Sequence, residues 1–122
     1  MKLLYNVIIV DDEFGTLESV KSYISDLTVG FNVVACFKNG REAVDYILSD
    51  AGVDVVITDI KMPVMDGMEL TKWIHENRPD IKVVIISAYG DFEYARKAIR
   101  YGAFHYLLKL VDVDEFVEVM NR

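Results

Sequence analysis

The sequence predicts an α/β fold in which five parallel strands alternate with five helices around a doubly wound sheet. Three observations carry this expectation. Short β-branched runs, Val7-Ile8-Ile9-Val10, Val55-Val56-Ile57 and Val83-Val84-Ile85-Ile86, are apolar without interruption, as suits strands covered on both faces. Between them, apolar residues recur at three- and four-residue steps, the spacing of a helix with one face in a core. The two patterns alternate along the whole chain, with no repeat, linker or low-complexity tract, which implies right-handed crossovers rather than hairpins.

The elements follow in order. A first strand over about Asn6–Asp11 ends on acids, Asp11 and Asp12. Phe14, Leu17, Val20, Ile24 and Leu27 form the core stripe of the first helix, and Gly30 is its stop. The second strand, about Asn32–Phe37, contains Cys36, read as a buried strand thiol. Asn39-Gly40 is a turn or cap signal, and Ala43, Val44, Ile47 and Leu48 make the next helical face, ending near Ala51-Gly52. The third strand, Val53 to Asp59, brings a carboxylate to its C-terminal end. After the loop Ile60-Lys61-Met62-Pro63-Val64-Met65, Asp66 and Glu69 have the spacing of a capping box and open a helix through Leu70, Trp73 and Ile74. Asn77-Arg78-Pro79-Asp80 closes that helix. The fourth strand is about Lys82–Ser87, with Ala88-Tyr89-Gly90 as its exit; Phe92, Ala95, Ala98 and Ile99 give a helix face closed by Gly102. The fifth strand is about His105–Leu110, and Asp112–Met120 is the last helix. For five such units the flavodoxin-like strand order 2-1-3-4-5 is the most economical. In that order the chain reverses direction between the first and third strands, and ligands bind outside the carboxyl ends of the strands at that point. Asp11, Asp12 and Asp59 fall there.

Composition sets the outer bounds. A chain of 122 residues, 52% hydrophobic and 27% charged, is expected to be one globular domain. A single cysteine excludes an internal disulfide and fits a reducing compartment. The net charge of −7 argues against the chain itself gripping nucleic acid or an anionic membrane. No apolar stretch approaches the ~20 residues of a membrane span, and Met1-Lys2-Leu3-Leu4-Tyr5-Asn6 runs into a strand with no small-residue cleavage site. A cytoplasmic protein is the expectation.

Carboxylates a few ångströms apart raise one another's pKa unless a cation neutralises them. A hard divalent ion that takes few protein oxygens, such as Mg²⁺, is the natural neutraliser, and its open positions accept phosphoryl oxygens. Acids at strand ends are often only solvated, or sit at helix starts as Glu13 does. For a single acid that plain reading is preferred; for three at one crevice a metal site is preferred. Ser87 at the end of the fourth strand and Lys109 in the fifth reach the same edge of the sheet, the lysine as an ion-pair partner for the acids.

The constellation Asp11-Asp12-Glu13, Asp59 with Met62-Pro63 and Asp66-Gly67, Ser87-Ala88, and Gly102-Ala103 before Tyr106-Leu107-Leu108-Lys109 resembles a response-regulator receiver domain over essentially the whole chain. The resemblance implies that Asp59 takes a phosphoryl group from the phosphohistidine of a sensor histidine kinase. It implies that Asp12, Asp59 and the Lys61 backbone carbonyl bind Mg²⁺, with Asp11 helping through water. Lys109 would pair with the phosphoryl group, Ser87 would bond to it, and Tyr106 would be the aromatic switch. Lys61 and Tyr89 stand where the family tunes hydrolysis of the acyl phosphate, and slow autodephosphorylation is expected. Such a domain catalyses only its own phosphoryl transfer and dephosphorylation.

Ser87-Ala88-Tyr89-Gly90 with Asp91-Phe92-Glu93-Tyr94-Ala95 resembles receivers that precede AraC-type helix-turn-helix domains. The chain is therefore expected to be a receiver from a longer transcription regulator, touching DNA only through an output domain. Output is expected through the fourth helix, fifth strand and fifth helix, where Phe92, Tyr94, Tyr101 and Phe104 either form a homodimer patch or fill the core. One departure stands out: the family usually has proline after the strand-five lysine, and here it is Leu110. A cis bond before leucine costs about 2.5–4 kcal/mol, which puts the family's cis bond at Lys109–Leu110 in question and leaves both isomers open. His105 stands where that subfamily commonly has aspartate and reads as a partly exposed structural histidine; His75 reads as solvated.

Other readings are weaker. A haloacid-dehalogenase-type phosphatase needs a second acid two residues after its nucleophile, and Lys61 occupies that position. A flavin carrier needs a phosphate-cradling loop where Asp11-Asp12-Glu13 stand, and no Gly-x-x-x-x-Gly-Lys signature marks a nucleotide loop. The alternative that Leu110 keeps open is a receiver-like interaction module that works without phosphorylation.

Overall fold

The computed structural model describes residues 4–49, 52–87, 92–108 and 113–121, with side chains described except at 27, 92, 94, 95, 106, 108 and 113–116. Ten elements alternate strictly: β1 (Tyr5–Val10), α1 (Phe14–Leu27), β2 (Phe31–Phe37), α2 (Gly40–Leu48), β3 (Val55–Thr58), α3 (Gly67–Asn77), β4 (Lys82–Ser87), α4 (Phe92–Arg100), β5 (His105–Leu108) and α5 (Val113–Met120). The sheet is parallel throughout, in the order β2-β1-β3-β4-β5 expected from the sequence.

The uninterrupted apolar runs are explained by layers on both sides. Ile8, Val10, Val56, Val83 and Ile85 point into one core with Ala43, Val44 and Ile47 of α2, Leu70 and Ile74 of α3, and Ala98 of α4. Their alternates Val7, Ile9, Val55, Ile57, Val84 and Ile86 point into a second core with Leu17, Val20 and Ile24 of α1 and Val119 and Met120 of α5. Burying each of the larger of these side chains, the valines, leucines, isoleucines and methionine, stabilises the fold by roughly 1.5–3 kcal/mol.

Local signals set the helix ends. The Asn39 side chain accepts from the Glu42 N–H at 2.9 Å and caps α2. At α3 the capping box is complete: the Glu69 N–H donates to Asp66 Oδ1 at 2.9 Å, and the Asp66 N–H donates to Glu69 Oε1 at 3.2 Å. Helix α4 ends in a Schellman motif, with Ala103 N–H donating to the Ala98 carbonyl at 2.9 Å and Gly102 N–H to the Ile99 carbonyl at 3.0 Å. Gly102 has φ +99, and a side chain there would also strike the His75 ring. His75 is exposed on α3, as expected, but its ring lies against this turn.

Four expectations are corrected. Phe14, Leu48 and Ile99 are 72%, 65% and 56% exposed rather than core. Each lies at or next to an end of its helix, so the apolar stripe runs beyond the packed part. Cys36 is exposed rather than buried. The register slips by one residue, from Val7 opposite Val33 to Ile8 opposite Ala35. The bulge moves Ala35 and Phe37 into contact with the α2–α4 core, whereas Phe31 and Val33 pack on the α1–α5 core. Cys36 is thereby set opposite Ile9 on the α1 side of an edge strand. Partial desolvation pushes its thiol pKa up, opposed by nearby Lys21 and reinforced by Glu18. The bond between residues 109 and 110 lies outside the described residues, as does residue 89.

Candidate functional site

The carboxyl ends of β1 and β3 are adjacent, since Val10 pairs with Thr58 and the Asp59 N–H donates to the Val10 carbonyl at 2.9 Å. The residues that follow each strand are therefore side by side. Asp11 and Asp59 are almost fully buried, 2% and 6% exposed, a costly place for two carboxylates unless each is well solvated by the protein or by a cation. A backbone N–H meets each: Asp11 Oδ1 accepts from the Glu13 N–H at 2.8 Å, and Asp59 Oδ1 from the Ile60 N–H at 2.7 Å.

The structure gathers Asp11, Glu13 and Asp59 so that one carboxylate oxygen of each lies within 4.8 Å of the others. Asp12, expected from the sequence at the same site, is exposed and is not among these three. Sequence reasoning placed Glu13 only at the helix start. It is indeed the N-cap residue of α1, but its side chain makes no cap hydrogen bond there. The signal that would have found it was its place in the acidic run Asp11-Asp12-Glu13.

The donor set fits a hard divalent cation. Octahedral oxygens at 2.0–2.1 Å from Mg²⁺ are about 2.9 Å apart when adjacent and about 4.2 Å when opposed, so three oxygens within 4.8 Å need little contraction. Three carboxylates exceed the charge of one such ion and leave it positions for ligands that are not protein.

The connection after Asp59 is tightly held. The Gly67 N–H donates to the Ile60 carbonyl at 2.6 Å, and a side chain at 67 would overlap the Asp59 carbonyl oxygen. Glycine is required here by close approach, not by an unusual φ. Thr71, fully buried, donates to the Gly67 carbonyl at 2.7 Å and fixes the first turn of α3 beneath it. Met65 N–H donates to the Pro63 carbonyl at 2.8 Å, and the Met65 carbonyl accepts from the Gly40 N–H at 2.9 Å, tying the loop to α2. Between them Val64 has φ +69, a left-handed conformation that a β-branched residue adopts at a cost.

The remaining expected residues are placed as follows. Ser87 is fully buried at the end of β4, opposite Leu108 of β5. Lys61 is exposed beside the site and lines a cavity of about 460 Å³ between its own loop, α3 and α4. The backbone of Tyr106 pairs with Ile85 in the sheet; its side chain, and all of Lys109, lie outside the described residues. Of the aromatics expected near the output face, Tyr101 is half-buried and Phe104 is 40% exposed, with Lys82 Nζ 5.4 Å from its ring centre. The side chains of Phe92 and Tyr94 are outside the described set. His105 is half-buried at the start of β5.

The sequence and the fold have known counterparts. Over 119 residues the chain is 38% identical to the transcriptional regulatory protein YesN of Bacillus subtilis, covering 98% of this chain and 32% of that protein. It is 33% identical over 115 residues to the transcriptional regulatory protein DegU of Brevibacillus brevis, covering 94% of this chain and 48% of that one. The chain thus spans less than half the length of either relative. In structure it is similar to the signal receiver domain of the response regulator NarL from Mycobacterium tuberculosis, with a TM-score of 0.86, 28% identity, and coverage of 97% and 94% of the two chains. It is also similar to a chain of the CheX–CheY–BeF3–Mg²⁺ complex from Borrelia burgdorferi, with a TM-score of 0.85, 29% identity, and coverage of 95% and 86%. Residues 7–121 match the response regulator receiver domain, and the chain belongs to that family of signalling domains.

Proposed function

We propose that the chain is a phosphorylation-dependent switch in which Asp59 accepts a phosphoryl group from the phosphohistidine of a sensor histidine kinase. The observation that carries this is the buried Asp59 carboxylate, set with Asp11 and Glu13 at the carboxyl ends of β1 and β3 in a receiver-family chain. An Asp59 oxygen forms the new bond to phosphorus as the phosphorus–nitrogen bond to imidazole breaks, and the departing nitrogen keeps its electron pair. Mg²⁺ would be held by Asp59, Asp12 and the Lys61 carbonyl, with Asp11 helping through water, as the resemblance implies, and Glu13 is a further candidate ligand by its place in the cluster; when bound it would supply neutralisation of phosphoryl oxygen charge. Asp59 is positioned for this by the Gly67–Ile60 hydrogen bond behind it. Ser87 is the hydroxyl that bonds the phosphoryl group, Lys109 its cation, and Tyr106 the aromatic that follows Ser87.

The relatives named as transcriptional regulatory proteins are longer than this chain, which supports reading it as the receiver of a longer regulator; that the output domain is of AraC type and binds DNA rests on the sequence resemblance alone. A homodimer through α4, β5 and α5 is the proposed output geometry. Among the described residues no helix is long and apolar enough to cross a membrane, which fits a cytoplasmic regulator.

Mass spectrometry after incubation with acetyl phosphate, with and without Mg²⁺ and beside Asp59→Asn, tests the switch. One added phosphoryl group that needs both Mg²⁺ and Asp59 is expected. No adduct, under conditions that label another receiver, would assign the chain to the phosphate-independent interaction modules.

A further inference from the structure

We propose that the cavity between the β3–α3 connection, α3 and α4 is a docking site for an acidic, partly apolar segment of a partner protein. Its volume of about 460 Å³ is within the usual span of ligand clefts. Ile60, Met62, Met68 and Tyr101 give it an apolar lining, and Lys72 and Lys97 line it with charge. Methionines suit a surface that adapts to an apolar side chain.

The charge is the telling feature. The chain carries 20 acidic and 13 basic residues, so a lysine has acids in excess from which to draw a partner. Lys72 and Lys97 nevertheless make no ion pair with any described residue; Lys72 lies only over the Tyr101 ring, 5.8 Å from its centre. The two acids at the cavity, Asp66 and Glu69, each accept the other's backbone N–H in the capping box but keep their charge, so with Lys61 the lining holds three cations against two anions. Lys72 and Lys97, beside the half-buried Met62 and Tyr101, leave the lining with a net positive charge that carboxylates from outside can meet. A nucleic acid is disfavoured, because its dense phosphates would meet the net charge of −7 on the rest of the domain. A short acidic peptide brings only the few charges that the lysines neutralise.

The test is nuclear magnetic resonance of the unphosphorylated, Mg²⁺-free protein, so that its failure is separate from a failure of phosphoryl acceptance at Asp59. The probes are acidic peptides of about ten residues carrying leucine or phenylalanine, a basic peptide of the same length, and ATP. Saturable shifts at the amides of Met62, Lys72, Lys97 and Tyr101 are expected with an acidic peptide and not with the basic one. The double variant Lys72→Gln/Lys97→Gln, both positions exposed, should keep its spectrum dispersed and bind about fivefold to tenfold more weakly. Three results would overturn the proposal: no saturable shift up to about 5 mM peptide, unchanged binding by the double variant, or saturation of the same amides by ATP alone, which would make the cavity a nucleotide site.

Discussion

Two connections leave the same end of the sheet and are built in opposite ways. The β3–α3 connection is pinned at every step: Gly67 against the Asp59 carbonyl, Met65 to Gly40, and Asp66 with Glu69 in a complete capping box. The β1–α1 connection carries Asp11, Asp12 and Glu13, has no side-chain cap at Glu13, and leads into an exposed Phe14. The difference teaches a division of labour. The arm that presents the Asp59 carboxylate is fixed by close backbone contacts and by the capping box. The arm that carries the other acids is tied through the Asp11 N–H to the Phe37 carbonyl and through the Glu13 N–H to Asp11 Oδ1, without a capping box.

Two glycines offer the sharpest way to break this contrast. A methyl at Gly67 overlaps backbone that cannot move without shifting Asp59, whereas at Gly15, in the first turn of α1, nothing lies within 4 Å of the added atom. Gly67→Ala should therefore destabilise by about 3 kcal/mol and slow labelling of Asp59 by acetyl phosphate. Gly15→Ala should stabilise by about 0.5–1 kcal/mol through helix propensity and a less mobile unfolded chain. Urea denaturation of both variants decides it; equal losses would mean that the two connections are equally constrained.

The acidic side of the comparison is tested by Asp59→Asn. Without divalent ions, removing one of three clustered carboxylates should raise stability by about 1 kcal/mol, because the amide oxygen can still accept from the Ile60 N–H. Adding Mg²⁺ should then stabilise the variant much less than the unmodified protein. A variant that gains as much from Mg²⁺ would show that the ion does not bind at Asp59.

The pinned side is tested by Asp66→Ala, which removes the acceptor for the Glu69 N–H. A lost cap of this kind costs about 1 kcal/mol. Thermal denaturation should show a fall of a few degrees, with Mg²⁺ affinity little changed. A large loss of Mg²⁺ binding would mean that the capping box holds the metal site as well as the helix.

How much of this was legible depended on whether the cause was local. β1, β3 and β4 were readable because strands covered on both faces have no polar face to confuse the pattern, and the capping box because both partners sit three residues apart. Phe14, Leu48, Ile99 and Cys36 were misread because periodicity reports a possible face, not where the neighbouring element stops or where an edge strand bulges. The crevice was predictable from topology, which brought Asp11 and Asp59 together as expected. That Glu13 rather than Asp12 completes the closest trio depends on the turn after β1, which the sequence pattern does not specify. The close approach of Gly67 to Asp59 is likewise tertiary; only the adjacent Asp66 and Glu69 hinted that the chain turns there.

The smallest expected effect uses a carboxylate held by a cation, unlike the acids of the crevice, which face one another. Asp80, exposed in the turn after α3, has its pKa held below the ordinary 3.8, chiefly by the hydrogen bond from Arg78. Because the folded-state pKa is the lower one, the pair's contribution is present above the unfolded pKa and is lost as pH falls through the folded value. Asp80→Asn should therefore be slightly less stable than the unmodified protein at neutral pH and should match it in strongly acid solution, where both side chains are neutral. Solvent screening at this exposed site keeps the neutral-pH difference small, and added salt should shrink it further. A difference that persisted in acid would trace the effect to the backbone of the turn instead of the Arg78 contact. Asp80 would then, like Asp66, be a carboxylate whose main work is to hold a backbone in place.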